Sequence, residues 1–69
     1  IEAKGDLTYQ EALILAMKRE KAAFRLYTDL AALTADKDLK IVFRSLAQEE
    51  AKHKLRFELE YDDKVLGEN

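Results

Sequence analysis

The sequence predicts an all-α fold, an antiparallel two-helix hairpin with the apolar seam of a helical bundle. Three observations carry this. No glycine or proline interrupts the chain between Gly5 and Gly67. Apolar residues recur at alternating spacings of four and three, the period of a bundle seam rather than of a strand. One polar interruption, "LTADKDL", divides the chain near its middle.

The first helix is expected near 9–33. Thr8 is placed to cap its free amides, and Glu11, three residues on, completes a capping box. Its seam runs Leu13, Met17, Glu20, Phe24, Tyr27 and Ala31. The break follows because Thr34, Asp36 and Asp38 compete with helical hydrogen bonding, and either aspartate can cap a new helix. The second helix is expected near 37–64, with Gly67 as a stop signal. Its seam runs Leu39, Phe43, Leu46, Glu50, His53 and Phe57. Residues 1–69 read as a single helical-hairpin domain with no internal repeat.

A short turn makes the helices antiparallel neighbours. With the turn centred on Ala35, Tyr27 lies level with Phe43, Glu20 with Glu50, Met17 with His53 and Leu13 with Phe57. The three polar seam residues thus form one layer, closed by apolar residues above and below. Facing carboxylates in such a seam repel, and each loses hydration. A divalent cation would compensate both. Oxygen donors with one imidazole suit iron or manganese, and without sulfur a structural zinc is less natural. Glu50 and His53, three residues apart, share a helix face and can reach the same ion. The bland alternative is an edge glutamate whose tip reaches water and a hydrogen-bonded core histidine. Glu49 falls off the seam and reads as a solvated residue. Glu60 lies two turns beyond His53, too far for the same ion. Glu58, Asp62 and Asp63 make an acidic end to the second helix.

Composition narrows the classes. The 69 residues carry 12 basic and 14 acidic side chains, a net charge of −2. The charges are interspersed, which argues against a nucleic-acid binder. No apolar run is long enough for a membrane span, and no signal-peptide pattern appears. A cytoplasmic protein is the expectation. With no cysteine, disulfides and thiolate metal sites are excluded. The high charge content leans toward a heat-tolerant source. The first residue, Ile1, reads as a processed or trimmed end.

The stretch "REKAAFRLY", with Glu20 seven residues before Tyr27, followed by "LAQEEAKH", with Glu50 and His53 as Glu-x-x-His, resembles the ferritin-like superfamily, its rubrerythrin branch most closely. The resemblance covers about Glu11 to Tyr61. It implies a four-helix bundle holding a di-iron centre, with a glutamate from each of two helices and a Glu-x-x-His from each of the other two. By resemblance Glu20 is the first-helix ligand, Glu50 the bridging carboxylate and His53 the histidine ligand. Tyr27 matches a tyrosine that hydrogen-bonds a ligand carboxylate. Manganese or zinc are conceivable substitutes for iron.

The chain departs from the family pattern in two ways. It supplies only half of the ligand set, so a second copy or a C-terminal half must supply the rest. Leu15, Ala22, Leu26 and Leu33, with Ile41, Leu55 and Leu59, form further apolar stripes that one hairpin cannot bury, which points to a homodimer or higher oligomer. At the position of an additional rubrerythrin carboxylate stands Ala23, and the cysteine-rich electron-transfer domain of many rubrerythrins is missing. Three functions follow as expectations. The first is an oxidoreductase reducing peroxide or oxygen with an unidentified electron donor. The second is a ferroxidase handling ferrous iron, similar to encapsulated ferritins. The third is a non-enzymatic helical assembly module.

Overall fold

The computed structural model describes residues 7–67. Helix α1 spans Tyr9–Leu33 and helix α2 spans Lys37–Tyr61. A π-helical segment, Asp62–Leu66, continues α2. There is no strand among the described residues. The two helices form an antiparallel hairpin, a layer 11 Å thick and 49 Å long. A layer one helix thick can bury only the strip where the helices meet, and both flanks stay open.

Local chemistry sets the helix ends. The Thr8 hydroxyl accepts from the Glu11 amide at 3.0 Å, and the Thr8 amide donates to Glu11 Oε1 at 3.0 Å, a complete capping box. At the turn, Thr34 in extended conformation ends α1 and donates its amide to the Leu30 carbonyl. The Asp36 amide donates to Thr34 Oγ1 at 3.3 Å. Asp36, rather than Asp38, caps α2, its Oδ1 accepting from the Leu39 amide at 2.9 Å. Asp38 sits in the first turn, where a negative charge suits the positive end of the helix dipole.

The seam differs in part from the expected one. Leu13, Ala31 and Ala47 are the buried residues among those described. Phe43, Glu50 and Phe57 are half-buried, but Leu39, Leu46 and His53 on α2 and Phe24 on α1 are exposed. On α2 the strip facing α1 runs instead through Lys40, Phe43, Ala47, Glu50, Lys54, Phe57 and Tyr61. That strip keeps the four-three spacing but is rotated toward Ala47. The physical reason is that α2 is apolar on more than one face. A small alanine lets the helices approach, and lysine stems cover apolar surface with their charges in water. Leu39 and Leu46 are left on one open flank. The register is as expected from a turn at Ala35: Tyr27 stacks on Phe43 with ring centroids 6.3 Å apart.

The end of α2 also differs. The sequence predicts a single helix to near residue 64, with Gly67 as its stop signal. The α-helix ends at Tyr61, the wider π turn follows, and Gly67 is right-handed at φ −74°. A Cβ on residue 67 would lie 2.8 Å from the carbonyl oxygens of both Asp62 and Asp63. Glycine is needed there for close approach, not for a positive φ.

Candidate metal centre

Glu20 comes from the middle of α1, and Glu50 and His53 come from successive turns of one face of α2. One ligand atom from each of the three lies within 4.8 Å of the others. His53 Nδ1 is 3.5 Å from Glu50 Oε1 and 3.9 Å from Glu20 Oε1. The carboxylates sit in the seam, with side chains 16% and 21% exposed, while the imidazole is 49% exposed. The site is therefore floored by the hairpin and open on one flank. On that flank lies a groove of about 620 Å³ lined by Tyr9, Leu13, Glu20, His53, Arg56, Phe57 and Glu60.

Electrostatics mark the layer as under-compensated. Glu20 holds its proton above the ordinary value of 4.5. The largest cause is the hydrogen bond it shares with Glu50, followed by burial and the Glu50 charge. His53 and Arg19 pull in the opposite direction without prevailing. A half-buried carboxyl hydrogen-bonded to a second carboxyl, with burial and like charge adding to the shift, is a place where a cation would be favoured. Two carboxylates and an imidazole are hard and borderline donors that fit iron or manganese.

Other acids stand apart from this cluster. Glu49 pairs with Lys52 at 3.3 Å on the surface, and Glu58 pairs with Lys54. Tyr27 is half-buried and its ring packs on Phe43. Its hydroxyl makes no hydrogen bond to a carboxylate among the described residues. Seven residues of helix put it about 10 Å along the axis from Glu20.

Two pairs near the site escaped the seam reading. Tyr9 donates its hydroxyl proton to Glu60, and Gln10 Nε2 donates to the Tyr61 hydroxyl at 3.0 Å. Tyr9 is pushed up to about 12, chiefly by that hydrogen bond, and Glu60 is held below the usual carboxylate range by the same bond. Extending the turn-centred register to the helix ends would have brought these four residues level.

A hairpin with two level carboxylates and a Glu-x-x-His in mid-helix defines a half-bundle of the carboxylate-ligand, ferritin-like class. The family model for rubrerythrin matches residues 2–61, and the chain belongs to the rubrerythrin family. No curated protein and no solved structure gives a significant match.

Proposed function

We propose that this chain is half of a non-haem di-iron oxidoreductase acting on peroxide or oxygen, with Glu20, Glu50 and His53 as its ligands. The observation that carries this reading is the half-buried Glu20–Glu50 pair, level across the seam, with His53 beside it. Bound ferrous iron would supply the electrons that reduce the oxidant. The chain's own residues do the rest. Glu20 and Glu50 would ligate as carboxylates, His53 would ligate through its imidazole, and Leu13 and Phe57 wall the groove beside them. Tyr27 is the proposed partner of a ligand carboxylate, requiring its hydroxyl to turn toward the layer.

The second half of the ligand set is proposed to come from a second copy, in a homodimer or larger oligomer, or from a C-terminal half. The open flank supports this, because it carries His53 together with exposed Leu39 and Leu46. No helix is long and apolar enough to cross a membrane among the described residues. The cytoplasm is the proposed location. The reductant is an external electron donor.

Ala23 favours a second reading, a ferroxidase that oxidises ferrous iron and passes it on. It is half-buried three residues beyond Glu20, the position that by resemblance matches a further carboxylate in the second half of rubrerythrins. The decisive experiment loads the protein anaerobically with ferrous iron and measures metal per chain and native mass. One iron per chain in an even-numbered assembly is expected. Peroxide consumption that turns over with a reductant supports the oxidoreductase, and continued oxidation of added ferrous iron supports the ferroxidase. A protein that retains no metal, with unchanged mass and stability under chelator, refutes both. Ligation needs ionised carboxylates and a neutral imidazole, so affinity should fall as pH drops below about 6.

A further inference from the structure

The open end of the hairpin carries two inter-helix hydrogen bonds that the ligand set does not use: Tyr9 to Glu60 and Gln10 to Tyr61. Each joins the first turn of α1 to the last turn of α2. Tyr9 lies 26 residues before Ala35 and Glu60 lies 25 after it, while Gln10 and Tyr61 stand the other way round, 25 before and 26 after. The bonds therefore straddle the register that sets Glu20 level with Glu50, each at 15 residues from Ala35.

The seam toward this end also holds buried Leu13 with half-buried Met17 and Phe57, but no covalent turn closes it. The opposite end is joined by the turn, and two of the three buried residues, Ala31 and Ala47, lie on that side of the site. Toward the open end Leu13 is the buried residue among those described, and Tyr9 is 52% exposed. Between the ends, Glu20 and Glu50 repel each other when both are ionised. A hairpin pushed apart at its middle and free at one end would splay, and a ligand set loosened by about 1 Å binds poorly.

We propose that Tyr9–Glu60 and Gln10–Tyr61 are a register clamp, and that Tyr9 and Gln10 are positioning residues that hold α2, with Glu50 and His53, against Glu20. This rests on the metal-centre reading above. Around Glu60 the charged groups are Lys64, 3.6 Å away, and Asp63, itself 3.8 Å from Lys64. The rival role for Glu60 is as a charge in the groove that attracts cations. Glu60→Gln separates the two, because an amide oxygen still accepts from Tyr9 but carries no charge.

The test measures Mn²⁺ affinity and an inter-helix distance. The chain has no cysteine, so Lys18→Cys with Lys52→Cys places spin labels uniquely, at two exposed positions level with the site. Labelled chains are diluted with unlabelled ones so that only intrachain distances are read. In Tyr9→Phe/Gln10→Ala, Mn²⁺ affinity should fall about ten-fold, as the loss of two hydrogen bonds implies, and the metal-free distance distribution should broaden. Tyr9→Phe alone keeps the ring and should show part of both effects. Glu60→Ala should match Tyr9→Phe, and Glu60→Gln should stay close to wild type. Unchanged affinity and distances in the double variant overturn the clamp. So does Glu60→Gln falling as far as Glu60→Ala, which assigns Glu60 to charge. If the wild type binds no Mn²⁺, the metal reading fails by itself, and the distances still decide: an unbroadened distribution in the double variant overturns the clamp.

Discussion

The two halves of the hairpin are held by different physics. From the turn to the carboxylate layer, contact is apolar: Ala31 and Ala47 are buried and Tyr27 stacks on Phe43. From the layer to the open end, Leu13 is the buried residue among those described, Met17 and Phe57 are half-buried, and polar bonds join the helices as well. The layer lies between them and belongs to neither. Apolar packing tolerates small axial shifts, whereas a hydrogen bond fixes donor and acceptor to within tenths of an ångström. On the proposal above, the carboxylate layer lies between a packed half and a bonded half, and His53 stands exposed on the open flank.

The largest expected effect tests the layer against both halves. His53→Ala or Glu50→Ala should abolish stoichiometric iron binding, while Glu49→Ala, whose carboxylate pairs with Lys52 on the surface, should leave it nearly intact. Metal analysis after anaerobic loading and desalting reads this directly. Sensitivity at Glu49 instead would mean that α2 presents a different face in the assembled protein.

Next comes packing. Leu13→Ala removes the one buried leucine among the described residues and should cost about 2–4 kcal/mol. Leu33→Ala, at a position 83% exposed, should change stability by less than about 0.5 kcal/mol. Denaturant curves at equal chain concentration check the pair. A large loss at Leu33 would show that it is buried between chains and that assembly, rather than the hairpin, supplies the stability.

A smaller effect has the opposite sign. Replacing Glu20 by Leu fills the seam and removes one of two facing carboxylates. The metal-free protein should gain on the order of 1–3 kcal/mol while losing iron binding altogether. Melting curves under chelator decide it. A lower midpoint for Glu20→Leu would mean that the protein itself holds Glu20 through a favourable pairing, as in an ordinary salt bridge.

Much of this was legible in the residues. The Thr8–Glu11 capping box and the turn chemistry at Thr34 and Asp36 depend on neighbours within three positions, so sequence determines them. The level of Glu20 with Glu50 followed from turn length alone. What could not be read was the rotation of α2 about its axis. Ile41, Leu46, Leu55 and Leu59 make α2 apolar on several faces, and spacing cannot rank them; the size of Ala47 does, by allowing the closest approach. The π turn after Tyr61 was hidden as well, because Gly67 has the same signature whether it serves a left-handed stop or a close carbonyl approach. The Tyr9 and Gln10 bonds lay outside an argument confined to apolar seams.

The smallest expected effect is a pH dependence of opposite sign in the two regions, read as slopes of stability under chelator. Glu20 faces Glu50, His53 and Arg19, and its folded value is raised above 4.5. A raised value means that the folded state binds the proton more tightly. The stabilisation is complete below pH 4.5 and is lost as pH rises through the folded value. Glu60, bonded to Tyr9 and near Lys64, is held below 4.5. Its contribution is present above that pH and is lost as pH falls through the lowered value. Both side chains keep some access to water, and Glu60 more than Glu20, so screening keeps both slopes shallow. Glu20→Leu should remove the decline on the alkaline side of 4.5 and leave the acid side unchanged. Glu60→Gln should do the reverse. If Glu20→Leu leaves the alkaline decline intact, the carboxylates do not share a proton in solution, and the tension assigned to the layer belongs elsewhere in the hairpin.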